Sequence, residues 1–368
     1  MSTRKIRVGV LFGGRSAEHE VSLMSARAVL AAIDRDRYEV VPIGVTRDGR
    51  WVLLQDPQLS REHPVALADG TEITLLPTPV DPGPRTLTAG SGKLPPLDVI
   101  FPLIHGTFGE DGTVQGLFEL ADIPYVGAGV LGSAVGMDKA AMKALLVQAG
   151  LPVAPYRVVL RRRWQQDPDA VRAECEALGY PLFVKPANLG SSVGISKVHG
   201  PDEFAPALDE AARYDRKLVV EQGIEDAHEV EVSVLGNDEP QASVPGEIVP
   251  CNEFYDYAAK YLAGTSELII PAPLPEAVIA RLQDHAVRAF HALDCAGLAR
   301  VDFLVRRADH APFILEANTL PGFTPISMYP KLWAASGLPY DRLIDRLIQL
   351  ALERHRERQS IQTAYLPQ

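Results

Sequence analysis

The sequence predicts an α/β chain of two or three domains, with an N-terminal domain built on a parallel sheet. Three observations predict it. At 368 residues the chain is longer than one hydrophobic core usually serves. KIRVGVLF (5–12), a glycine turn, a helix from about Ser16 through Ile33 and YEVVPIGVT (38–46) have the order and spacing of a βαβ unit. DVIFPLIHGTFGEDGTVQG (98–116) then repeats the pattern of apolar strand, glycine-studded loop and helix start, the helix beginning near Thr113.

The remaining elements follow in order. PTPVDPGPRTLTAGSGKLPP (77–96) is rich in Pro and Gly and is expected to be an irregular surface excursion. VGMDKAAMKALLVQAG (135–150) reads as a helix closed by Gly150 and stopped by Pro152, opening a second domain. Strand-like VAPYRVVL, a helix near 168–178, PLFVKPANLGSSVGISKV (181–198), a further helix and the strand KLVVEQG (217–223) complete it. From about 224 the chain is strand-rich with flanking helices and closes on the amphipathic segment 341–357. The expected domains are therefore 1–134, 135–224 and 225–368.

Bulk properties exclude several classes. A formal net charge of −11 argues against nucleic-acid binding, which needs a basic face. Cys175, Cys251 and Cys295 are odd in number and far apart, which suits reduced thiols in a cytoplasmic protein. MSTRKIRVGV lacks a long apolar run, and no apolar stretch is long enough to span a bilayer.

Three stretches carry chemistry. LFGGRSAEHEVS (11–22) has the strand–glycine–helix form of an anion site, because the free N–H groups of a helix start attract anions. Yet Glu18 and Glu20 stand at its mouth. A carboxylate there suits a cationic ligand, or simply its own helix's dipole. In FVKPANLGSSVGISKV (183–198), Lys185 ends one strand, and small residues lead into another. Backbone N–H groups and hydroxyls there can close over phosphate as a flap, while an ordinary Gly/Ser hairpin is the alternative.

In LARVDFLV (298–305) and FILEANTLPGFTPIS (313–327), strand alternation puts Arg300 with Asp302 on one face and Glu316 with Asn318 on one face. A turn centred on Asp309 sets Asp302 opposite Glu316. Converging carboxylates repel unless a cation lies between them, and oxygen-only donors favour Mg²⁺ or Mn²⁺. A salt-bridged hairpin is the alternative. The stretch 244–274, with Lys260 and Tyr261, mixes Tyr, Lys and Glu between prolines, as an ordered functional loop or a packed aromatic one would.

Taken together, GGRSAEHEVS, HGTFGEDGTVQG, MDK, KPANLGSSVGISKV, EFYDYAAKY, RVDF and EANTLPGFTPIS stand in the order of the D-alanine–D-alanine ligase family of the ATP-grasp superfamily, and the chain closely resembles it along nearly its whole length. The resemblance implies a three-domain ATP-grasp fold with a Rossmann-like, parallel-sheet (pre-ATP-grasp) N-terminal domain. It implies ATP-dependent joining of two D-alanines through an acyl phosphate, for peptidoglycan, by a homodimer. By the same resemblance Glu18 binds the first D-alanine's ammonium, linked by hydrogen bonds to Ser191 and Tyr261, with His105 near that substrate.

Further roles come from the same resemblance. Lys139 and Lys185 grip the α- and β-phosphates, beneath the flap Gly190–Ser191–Ser192–Val193, and Lys260 reaches the transferred phosphate. Glu221, Gln222, Gly223 and Ile224 contact adenine, and Glu229 the ribose. Asp302, Glu316 and Asn318 hold two Mg²⁺ ions. Arg300 and the Gly322 N–H stabilise the developing oxyanion, and Ser327 with the Met328 backbone takes the second D-alanine's carboxylate. Tyr261, where depsipeptide-forming relatives carry His, implies D-alanine and not D-lactate as the second substrate. The rivals are a ligase for another amino acid or peptide and a silent nucleotide-binding protein.

Overall fold

The computed structural model describes residues 4–54, 67, 70–80, 83–87, 94–249, 267–324 and 326–362. Three sheets organise them. The first contains β1 (Ile6–Gly13), β2 (Tyr38–Val45), β3 (Trp51–Leu53), β4 (Thr71–Leu75), β5 (Pro84–Thr86) and β6 (Val99–Pro102), in the order β5-β4-β3-β2-β1-β6. Helix α1 (His19–Ala32) is the crossover between β1 and β2, which are parallel, as are β1 and β6.

The sheet is not parallel throughout. β3, β4 and β5 continue it antiparallel, because the short link from Val45 to Trp51 can only turn a hairpin, whereas parallel neighbours need a crossover. The expected excursion at 77–96 likewise contributes β5 at the edge of this sheet.

Helices α2 (Thr113–Leu120), α3 (Val130–Met137) and α4 (Lys139–Gln148) lead to the second sheet. The helix expected at 135–150 is thus broken at Asp138, whose extended backbone ends α3 and whose carboxylate accepts from the Ala140 and Ala141 amides to start α4. β7 (Tyr156–Leu160), α5 (Arg161–Gln166), α6 (Pro168–Glu176), β8 (Leu182–Pro186), β9 (Ser196–Val198), α7 (Pro201–Ala211) and β10 (Lys217–Gln222) follow. The order is β7-β10-β8-β9, all antiparallel. Its own core includes Val171, Leu182, Val184, Phe204 and Leu218.

The third sheet contains β11 (Ala227–Gly236), β12 (Gln241–Ala242), β13 (Gly246–Val249), β14 (Glu267–Ile269), β15 (Gly297–Arg306) and β16 (Pro312–Asn318), with order β14-β13-β11-β15-β16 and β12 beside β11. α8 (Glu276–Ala292) covers it, burying Val278, Leu282, Ala286 and Phe290 at helical spacing. α9 (Met328–Ala335) and α10 (Tyr340–Gln359) end the chain's described part. α10 lies in one core with the first sheet: Leu343, Leu347 and Ile348 pack with Val8, Phe12 and Phe101. The first and third units therefore share a hydrophobic core, while the second keeps a separate one. The cleft between the second and third sheets is the candidate functional site.

Candidate active site

The hairpin β15–β16 builds one wall. Its register sets Asp302 opposite Glu316 and Arg300 opposite Asn318, as the sequence predicts, with an irregularity between Asp302 and Phe303. Arg306 and the Ala311 amide bond Asp309 and so fix the turn. Arg300 forks onto Asp302 through Nε–Oδ1 at 2.7 Å and Nη2–Oδ2 at 2.8 Å, and Asn318 Nδ2 donates to Asp302 Oδ2 at 3.0 Å. Arg300 Nε also lies 2.8 Å from Glu231 Oε2 on β11. Burial opposes the Arg300 charge, but Asp302 and then Glu231 outweigh it and hold its pKa well above the ordinary guanidinium range.

These residues fit a hard divalent cation. Asp302 is a carboxylate with about four lone-pair sites, held in place by Arg300 and Asn318. Glu316 and Asn318 add oxygen donors from the adjacent strand. Among the described residues no three His, Cys, Asp or Glu side chains converge as a metal cage. Two carboxylates and a carboxamide, completed by phosphate and water, are instead what Mg²⁺ takes.

The hairpin β8–β9 builds the opposite wall. Lys185 lies near the end of β8, and residues 187–195 turn back into β9. Lys139, at the start of α4, ties this flap to the metal face. Its backbone N–H donates to Ala187 O at 2.9 Å, its Nζ donates to Leu189 O at 2.7 Å, and Nζ lies 3.8 Å from Glu316 Oε2. At the flap's tip Ser191 and Ser192 have φ of 51° and 60°, a conformation L residues rarely adopt. Ser191 Oγ thereby donates to the Glu18 carboxylate on the first unit.

Glu18 occupies the N-cap position of α1 but makes no side-chain capping bond, so the flap, not the helix start, takes its carboxylate. Gly106 and Gly190 lie so close that a Cβ on either would sit 2.6 Å or 3.0 Å from Glu18 Oε2.

Between the walls lies a cleft of about 410 Å³, a volume suited to a small-molecule ligand. Lys139, Lys185, Gly190, Ser191 and Ser192 line its phosphate side; Glu221, Gln222, Gly223, Ile224 and Glu229 line its far end; Asp302 and Glu316 complete it. Val193 lies in the flap but does not line this cleft. Deep in the wall Glu221 pairs with Lys185 and, at 2.7 Å, with Lys143.

A further polar cluster is organised around His105. Its ring is buried, with Nε2 3.0 Å from Ser25 Oγ and Nδ1 3.2 Å from both Glu110 Oε1 and Leu320 O. Burial would lower its pKa, but the bond to Glu110 raises it overall. Both nitrogens are thus engaged within the protein. Beyond Leu320, Ser327 Oγ accepts from the Thr324 amide at 3.1 Å, and Gly322 lies close beside it. Ser327 precedes α9, whose first residue, Met328, is buried with Ile248 and Leu332. Lys260 and Tyr261 lie outside the described residues. The ends of their stretch, 244–274, are β13 and β14, paired antiparallel.

Sequence reasoning missed Lys143, Glu231 and Glu110. The first had a usable signal, following Lys139 by one helical turn on α4. Glu231 shares a strand face with Glu229, and Glu110 belongs to the GEDG of the first-unit loop.

An antiparallel sheet carrying a phosphate flap, closing on a second antiparallel sheet that carries oxygen donors, defines the ATP-grasp class of ligase. The family profiles described as D-ala D-ala ligase N-terminus and C-terminus match residues 7–128 and 145–349. A D-alanine–D-alanine ligase from Heliobacterium modesticaldum is 54% identical over 99% of this chain and 99% of its own length. One from Geobacillus thermodenitrificans is 51% identical, covering 97% and 98%.

Among solved structures, the D-alanine–D-alanine ligase from Coxiella burnetii matches with a TM-score of 0.83 at 38% identity, covering 97% of this chain and 98% of that one. The VanG D-Ala:D-Ser ligase from Enterococcus faecalis matches with a TM-score of 0.85 at 35% identity, covering 95% and 100%. The chain belongs to the D-alanine–D-alanine ligase family.

Proposed function

We propose that this chain uses ATP to join two D-alanine molecules into D-alanyl-D-alanine, the dipeptide that ends the peptidoglycan stem. The observation that carries this reading is the bond from flap Ser191 to Glu18. It brings the loop proposed to bind phosphate onto a carboxylate suited to an amino acid's ammonium. A carboxylate is a poor electrophile, and phosphorylation by ATP converts it to an acyl phosphate. The second D-alanine's amine attacks that carbonyl, and phosphate leaves from the tetrahedral intermediate.

The residues divide the work by position. Glu18 takes the first ammonium, with Ser191 and Tyr261 linked to it, and His105 supports that side of the pocket. Lys139, Lys185 and the flap 190–193 hold the polyphosphate, Lys260 meets the transferred phosphate, and Glu221–Ile224 with Glu229 hold adenine and ribose. Asp302, Glu316 and Asn318 would hold two Mg²⁺, with Mn²⁺ as a substitute, supplying charge neutralisation to the phosphoryl oxygens. Arg300 and the Gly322 N–H stabilise the oxyanion. Ser327 and the Met328 backbone take the second carboxylate. The stretch 244–274 excludes water, which would otherwise hydrolyse the acyl phosphate.

We further read 1–134, 135–224 and 225–368 as the domains of a cytoplasmic homodimer. No helix among the described residues is long and apolar enough to cross a membrane.

Phosphate release from Mg²⁺-ATP tests the function. D-Alanine should stimulate release more than tenfold over L-alanine, with D-alanyl-D-alanine as the product. Equal release with both would overturn the reading. With D-lactate or D-serine added beside D-alanine, the dipeptide should still predominate, and predominant depsipeptide or mixed dipeptide would refute the second-substrate assignment.

A further inference from the structure

We propose that Lys143 is a positioning residue for nucleotide binding: by holding the Glu221 carboxylate, it releases Lys185 for phosphate and keeps one Glu221 oxygen in place for an N–H donor on the purine. The inference deepens the ATP reading and rests on it. Lys143 is 1% exposed, on α4 at the base of the cleft wall, and no substrate role is expected of it. Its Nζ lies 2.7 Å from Glu221 Oε2 and 5.7 Å over the Tyr156 ring. Lys185 meets the other oxygen, Glu221 Oε1. All three side chains line the cleft.

Charge counting gives the role. Two ammonium groups share one carboxylate, so the Lys143–Glu221–Lys185 cluster carries one surplus positive charge where phosphate is expected. Without Lys143 the remaining pair would be neutral. Lys185 would then be the sole counter-charge of a buried carboxylate, and phosphate would have to compete with Glu221 for it.

The hydrogen bonding points the same way. The Lys143–Glu221 contact is ionic but poorly aligned as a hydrogen bond, which leaves Glu221 Oε2 with acceptor capacity in a buried wall. A carboxylate oxygen has two lone pairs, so Oε2 can take a second donor beside Lys143, and the amino group of adenine is such a donor. Burial opposes ionisation of Glu221, yet Lys143 and Lys185 overcome it and hold the carboxyl at about 2. Glu221 therefore stays an acceptor at every working pH.

The test uses ATP, ITP (which carries an oxo group in place of the amino group) and inorganic tripolyphosphate as probes of the full-length enzyme. Lys143→Met should raise KM for ATP at least tenfold while leaving KM for D-alanine within twofold. It should also weaken tripolyphosphate binding and reduce the preference for ATP over ITP at least fivefold. The double variant K143M/E221Q should regain much of the tripolyphosphate affinity, because the carboxylate that captures Lys185 is gone, but not the ATP preference.

Wild-type KM for ATP in K143M, or a double variant that binds tripolyphosphate as weakly as K143M does, would overturn the proposal. If K143M does not fold, E221Q alone decides: tripolyphosphate should bind at least as tightly as to the wild type, and weaker binding would overturn it. Wild-type enzyme that ignores ATP altogether would instead refute the ligase reading.

Discussion

Removing Arg300 would take a cation from two buried carboxylates at once. Its guanidinium forks onto Asp302 and touches Glu231, and the proposed mechanism also gives it to the reacting carbonyl. Arg300→Ala should therefore act twice. Loss of an oxyanion partner should cut kcat by about 10²–10³, and breaking the buried ion pairs should cost about 3–5 kcal/mol of stability, readable from steady-state kinetics and urea unfolding respectively. A kcat within threefold of wild type would refute the oxyanion role.

The pairing of Asp302 with Glu316 was legible because two apolar strands flank a short polar turn, and the irregularity at Asp302/Phe303 lies on the turn side of the pair. Lys143 and Glu231 were not, for one shared reason. A charged residue on an amphipathic element reads as its solvent face, and here that face is the wall of a closed cleft.

At the scale of the element, the β8–β9 hairpin concentrates backbone strain where the phosphate is expected. Ser191 and Ser192 sit at positive φ without being glycine, at about 1–2 kcal/mol each. Such strain persists only where the surroundings hold it, here Lys139 on the Leu189 carbonyl and Glu18 on Ser191. Gly194, at φ 72°, continues the same turn, and a Cβ there would lie 2.7 Å from Tyr214 Cδ2.

Gly194→Ala should therefore misplace the flap. KM for ATP should rise severalfold, while the melting temperature falls only slightly because β9 is an edge strand. Unchanged kinetics would mean that the flap's geometry does not matter to nucleotide binding. Glycine and serine in a strand-to-strand loop announce this element in the sequence. The strands β3 and β5 are only three residues long, too short for any period to show, so the antiparallel edge of the first sheet stayed hidden.

For the whole molecule, the decisive fact is the division of its cores. Leu347 on α10 is fully buried in the core that also holds Val8, Phe12 and Phe101 of the first sheet, whereas β7 to β10 pack around a separate one. Leu347→Ala should cost about 2–5 kcal/mol. Hydrogen exchange should show β1 and α10 losing protection together while β8 and β10 keep theirs, and a loss confined to α10 would contradict the shared core. The first and third units then form one platform carrying Glu18 and the Asp302–Glu316 face, and the flap of the second unit lies against it.

The central claim is that this closure assembles a polyphosphate site around oxygen donors on β15 and β16. It is tested most directly by anomalous scattering from manganese in crystals grown with ADP and Mn²⁺. A manganese peak within coordination distance of Asp302, Glu316 and Asn318, with the diphosphate between it and Lys185, is the result predicted. Manganese elsewhere, or a diphosphate lying outside the flap 190–193, would contradict the account.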